Sequence, residues 1–175
     1  MKKIILIGIF GIAAITATAQ PRSIGVRLGI NQELSFQQYV RNEDNIIQFD
    51  AGAFAAQGAQ VSLTFNWITP AKNSNFASYG GFGVGGGYSA KDNFWYYKYK
   101  DGATLPSYVF FGITGMIGLE YTFDNIPLAI ALDYRPLIGI DVGKKSYNKI
   151  TSTDTGINLH TAGFLQLGLS VKYLF

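Results

Sequence analysis

Six charged residues sit singly between apolar or aromatic neighbours: Arg27, Asp50, Glu120, Asp133, Arg135 and Lys172. Three are basic and three acidic. Such a set can do one of two things inside a protein. It can neutralise itself as a packed network, since a buried charge left alone is costly. Or it can line a channel as an acid–base constriction. The packed network is the reading the spacing favours. The only histidine, His160, lies near Thr151, Ser152, Thr153 and Asp154. A histidine beside hydroxyls and a carboxylate is the raw material of a nucleophilic triad, which needs base and hydroxyl within hydrogen-bond reach. Ser and Thr are also ordinary loop residues, so His160 is a catalytic candidate only in that limited sense.

Two further patterns suggest ligand chemistry. Gly81-Phe82-Gly83-Val84-Gly85-Gly86 matches G-x-G-x-x-G. That motif cradles a dinucleotide only where a strand turns into a helix. Here both flanks read as strand, so the glycines are assigned to wall curvature and to room for larger side chains. Asn93-Phe94-Trp95-Tyr96-Tyr97-Lys98-Tyr99-Lys100 interleaves aromatics with lysine. It reads as an aromatic girdle rising beyond a bilayer. The alternative is a contact patch for lipopolysaccharide or another surface partner, whose identity the residues do not specify.

These residues need elements to position them, and the elements alternate with period two. The last segment, 163–175, puts Leu165, Leu167, Leu169, Val171, Tyr173 and Phe175 on one face and Gln166, Gly168, Ser170 and Lys172 on the other. Seven more segments are read the same way, at 23–30, 33–40, 46–55, 59–69, 76–88, 108–123 and 126–140, the second imperfectly because Gln38 spoils its apolar face. Strands apolar outside and polar or small inside make the wall of a barrel in lipid. Most reach the roughly 9–11 residues that a tilted membrane strand needs. The connections are uneven. Short ones fall at 41–45, 70–75 and 124–125, and the longest at 89–107 and 141–162. Short turns on the periplasmic side and long loops outside are the polarity of an outer-membrane barrel. Phe65, Trp67, Tyr121, Phe123, Tyr173 and Phe175 then fall together as a periplasmic aromatic girdle.

The start of the chain supplies the export route. Met1-Lys2-Lys3 is basic, Ile4 to Ile15 is apolar, and Ala17-Thr18-Ala19 is a small-x-small cleavage pattern. Residues 1–19 are therefore read as a signal peptide, and 20–175 as one barrel domain. The apolar run is too short to span hydrocarbon. Setting aside Lys2 and Lys3, the 14 Lys+Arg and 11 Asp+Glu come within one charge of balance. With no basic stripe, nucleic acid is not an expected partner. Cysteine is absent, which removes disulfides, Cys-ligated metal and a Cys nucleophile. No metal site and no cofactor are expected.

Three stretches carry a resemblance: Ser23-Ile24-Gly25-Val26-Arg27-Leu28-Gly29, Tyr79-Gly80-Gly81-Phe82-Gly83-Val84-Gly85, and Gly118-Leu119-Glu120-Tyr121-Thr122-Phe123-Asp124-Asn125-Ile126-Pro127-Leu128, running on to Leu132-Asp133-Tyr134-Arg135-Pro136. With them the chain resembles small bacterial outer-membrane β-barrels of the OmpX/OmpA-transmembrane type, and the outer-membrane barrels common in Bacteroidetes. The resemblance implies an all-β, antiparallel, up-and-down eight-stranded transmembrane barrel. It implies outer-membrane location, periplasmic termini and extracellular long loops. It also implies that Phe175 is read by the barrel-insertion machinery, and that outer-membrane lipids are partners. It brings no activity. The expected role is structural or surface interaction, with a packed interior and no large pore. The alternatives are an outer-leaflet lipid-modifying enzyme and a small lipid-binding barrel.

Overall fold

Alternating segments become strands because β-branched and aromatic residues pack well on a pleated surface. The structure is a computed structural model that describes residues 21–40, 42–54, 58–90, 107–147, 150–160 and 162–175. Within them lie ten β segments: β1 (Pro21–Gly29), β2 (Asn31–Val40), β3 (Asn42–Phe54), β4 (Gly58–Pro70), β5 (Phe76–Ser89), β6 (Tyr108–Thr122), β7 (Leu128–Tyr134), β8 (Leu137–Tyr147), β9 (Ile150–His160) and β10 (Leu167–Leu174). All pairings are antiparallel between neighbours, and β1 against β10 closes the ring. The result is a closed eight-stranded barrel, because two of its strands are each made of two segments.

The seventh strand is β7 plus β8. β6 pairs Ile117 with Tyr134 and Thr114 with Leu137, one unbroken register across the gap. The interruption is Pro136, which has no N–H to give the ladder. Its carbonyl still accepts from the Gly115 N–H at 3.0 Å. The eighth strand is β9 plus β10, and here the register does shift. His160 pairs with Gly139, while the Gln166 carbonyl accepts from the Arg135 N–H. Between these two pairings one strand spends three residues, 136–138, and the other five, 161–165. The two-residue surplus is taken up by a 3-10 turn over Ala162–Leu165. An even surplus preserves which face points inward.

The expected connection over 141–162 is therefore corrected. It is mostly strand, a continuation of the last hairpin through β8 and β9. Ile138, Ile140 and Val142 and then Ile157 and Leu159 carry the alternation onward, but the polar stretch between them hid it. The expected last strand over 163–175 begins only at Leu167. The second strand starts at Asn31, two residues before the expected 33–40 segment. Gln38, which breaks the alternation of that segment, is buried beside the irregular pairing of Tyr39 and Val40. Residues 1–20, with the signal-peptide reading, lie outside the described residues.

The polarity of the wall is the reverse of a water-soluble protein. Outward positions are large and apolar: Ile113 is 71% exposed and Leu119 58%. The inward neighbour Glu120 is 2% exposed. A contiguous apolar exterior of this extent marks contact with protein or lipid. No described helix is long and apolar enough to cross a membrane, a test that says nothing of strands.

Candidate functional site

Every one of the six singled-out charges is inside the barrel, and two more join them. Arg22 and Glu33 bring the buried interior set among the described residues to four cations and four anions. Parity pointed to Glu33, which shares its inward face with Ser35 and Gln37. Arg22 gave no such signal, because the pairing of β1 with β2 is irregular between Pro21 and Ser23.

The charges form two layers. Nearest the start of β1, Glu120 takes Lys172 Nζ at 2.9 Å on Oε2 and the Arg22 guanidinium on Oε1. Arg22 also donates to Gln37, whose amide passes on to Gln48 at 2.7 Å. The Lys172 ammonium stands 5.0 Å from the centre of the Tyr79 ring, a cation–π distance. Above this, Arg27 Nη2 lies 2.6 Å from Asp133 Oδ1, and its Nη1 3.2 Å from Glu33 Oε2. Arg135 bridges Glu33 and Asp50, with Nη1 2.6 Å from Asp50 Oδ2. Ser62 accepts a further bond from Arg135 at 2.9 Å. Each cation thus touches at least one carboxylate. That meets the condition for holding charge in a low-dielectric interior.

Two glycines make the packing possible. A Cβ on Gly168 would stand 2.4 Å from Arg27 Cζ, and one on Gly118 2.5 Å from Tyr79 Cζ. These positions are empty so that a guanidinium and a phenol can lie flat against the wall. The Tyr79 hydroxyl then reaches Asp133 Oδ2 at 3.4 Å.

Over the charges sits a layer of amides. Asn31 donates to Gln60 at 3.1 Å, and Gln60 exchanges bonds with Gln166 at 3.2 and 3.3 Å. The amides bridge β2, β4 and the eighth strand. An eight-stranded barrel is about wide enough for its own side chains. Among the described residues this interior is filled by them and holds no large pore.

Toward the far end, His160 closes β9 and points inward. Its Nδ1 lies 2.6 Å from Asp141 Oδ1, a hydrogen bond between the ring and the carboxylate. The ring lies on Phe110, with centroids 4.4 Å apart and planes at 2°, and Tyr108 is 6.4 Å away. The sequence placed His160 in a loop beside Asp154 and hydroxyl residues. The structure places it in a strand with Asp141 as its carboxylate. Asp141 escaped notice because it fell just past the assumed end of its strand. Along the strands, the backbone of Thr151 and Ser152 stands well away from His160. Ser146 pairs with Thr151, seven residues up β8 from Gly139, the residue opposite His160. At about 3.4 Å per residue that is roughly 20 Å or more. Ser152 is eight residues from His160 along β9 itself.

The six residues expected to form a girdle make ring contacts at the end where β1 begins and β10 finishes. Phe65 meets Trp67 at 5.3 Å, Tyr121 meets Phe123 at 5.1 Å, and Tyr173 meets Phe175 at 5.5 Å. Phe82 and Phe76 extend the belt, against Trp67 at 5.6 Å and Tyr121 at 4.9 Å. The patch Phe94, Trp95, Tyr96, Tyr97, Lys98, Tyr99 and Lys100 lies outside the described residues. No group of three or more His, Cys, Asp or Glu suited to a metal ion occurs among the described residues.

Fold and interior together define the class: an all-β, closed, antiparallel eight-stranded barrel with a self-neutralising core and an apolar outside. No protein-family model matches the chain, and no curated protein matches it.

Proposed function

We propose that this chain is an integral outer-membrane β-barrel with a structural or surface-interaction role, of the OmpX/OmpA-transmembrane kind. The observation that carries the reading is the inversion of polarity across a one-strand-thick wall. Leu119 is 58% exposed while its neighbour Glu120 is 2% exposed, and the same alternation runs around the closed ring. Hydrocarbon has no donors or acceptors, so only helices or closed barrels satisfy the backbone within it. A carrier of lipid in its interior would need the opposite arrangement, apolar inside and polar outside. The aromatic belt fits an interface, where ring bodies are apolar and Tyr and Trp tips are wet. On this reading the belt end faces the periplasm and the β8–β9 hairpin projects outward with the 89–107 connection. Outer-membrane lipids surround the wall, and the insertion machinery handles the unfolded chain.

Cell fractionation tests the proposal. The mature chain is expected in outer-membrane detergent extracts, with different electrophoretic migration before and after boiling. Recovery as a soluble periplasmic protein would overturn it.

A further inference from the structure

The outer wall is not evenly covered. A groove of about 680 Å³ crosses the far half of the barrel, from Phe49 on β3 over β4, β5 and β6 to Ile140 on β8. Its cause is local and legible in the pairing. Gly86 occupies an outward position between Val61 on one side and Phe111 on the other. Where its neighbours project side chains, Gly86 offers only backbone. Beneath it, Gly85, Gly112 and Gly139 form a run of inward glycines across three adjacent strands, so the wall is thin on both faces. One raised edge is the cross-strand row of Val84, Ile113 and Ile138.

We infer that this groove binds one hydrocarbon chain of a membrane lipid as a fixed site, distinct from the mobile lipid around the rest of the barrel; this rests on the membrane reading above. Three features select that occupant. The outward side chains that wall the groove are apolar, and its one polar lining residue, Ser62, turns its hydroxyl inward to Arg135, so the part of the ligand lying in the groove carries no polar group. The groove opens on the continuous apolar exterior, so it is filled from the medium that covers that exterior. Its span also fits. Five adjacent strands about 4.8 Å apart give a path of roughly 19 Å along the curved wall. Strands tilted about 45° turn that into roughly 13 Å along the bilayer normal, close to one leaflet of a ~30 Å hydrocarbon core. A headgroup is too polar for such walls. A second barrel would need a matching ridge.

The test uses the full barrel in vesicles of phosphatidylethanolamine and phosphatidylglycerol, then detergent extraction and native mass spectrometry of retained lipid. Val84→Trp and Ile138→Trp fill the groove from two points along one edge, on β5 and on β8, without touching the barrel interior. Leu169→Trp places the same bulk on an outward position of β10, away from the groove. Wild type and Leu169→Trp are expected to retain one lipid per barrel. The two blocking variants should hold it roughly four- to fifteen-fold more weakly, the equivalent of one or two methylenes unburied. Equal retention in all four proteins would overturn the site, as would loss in Leu169→Trp. Wild-type dimers that Val84→Trp splits would overturn it in favour of a second copy. A wild-type chain that never enters vesicles would remove the membrane reading itself, an outcome distinct from insertion without lipid retention.

Discussion

Arg135 reaches across the barrel to Asp50, 85 residues away in the chain, with Nη1 2.6 Å from Oδ2. Neither side chain has any exposed surface. Arg135 also holds Glu33, so one guanidinium ties the seventh strand to β2 and β3. Removing it leaves buried carboxylates without their partner. Arg135→Ala should cost about 3–5 kcal/mol, the range for breaking a buried ion pair. Urea unfolding of refolded protein in detergent micelles reads this directly. The double variant Arg135→Leu with Asp50→Leu should recover much of the loss, because Glu33 retains Arg27 and no unpaired Asp50 remains.

Gly168 and Gly115 look alike in sequence and should respond differently. A Cβ at Gly168 meets the Arg27 guanidinium, whereas one at Gly115 has Pro136 Cγ at 3.7 Å, an ordinary contact. Gly168→Ala must move Arg27 away from Asp133 and should cost about 1–3 kcal/mol, the scale of overpacking. Gly115→Ala should leave the urea midpoint close to wild type.

The surplus in the eighth strand gives a test of parity. Removing Phe164 alone would shift β10 by one residue and turn Leu169, Val171 and Tyr173 inward, with Lys172 and Ser170 outward. That chain should fail to show the heat-dependent migration of a folded barrel. Removing Phe164 and Leu165 together keeps the faces and should refold.

His160 and Asp141 form a charge-assisted bond across β8 and β9. A double-mutant cycle with His160→Ala and Asp141→Ala should show a coupling of about 1.5–3 kcal/mol in unfolding free energy. Neither single variant should block refolding, since both lie away from the ring closure of β1 against β10.

Planar-bilayer recordings should show no stable unit conductance for the wild-type barrel. The amide layer of Asn31, Gln60 and Gln166 and the charges beneath it cross the lumen from wall to wall. Reproducible channels would mean that this plug opens.

Period-two alternation by itself determined most of the strands, the inward face, and six of the eight buried charges. A side chain's face depends only on local parity, and residues 108–123 or 59–69 leave that parity in no doubt. It also determined the grouping of the girdle residues at one end, because antiparallel neighbours with short turns bring Tyr121 and Tyr173 to the same height. Tertiary pairing decided the rest. Arg135 was legible as inward, but not that it joins Asp50 and Glu33, because such contacts depend on barrel shear rather than on any one strand. Asp141 became the partner of His160 only through the β8–β9 register, which continues through polar residues where alternation fades. Arg22 entered the core through an irregularity in β1 that no periodicity signals. The outer groove came from Gly86 standing beside inward glycines of two other strands, a juxtaposition that exists only once the wall is assembled.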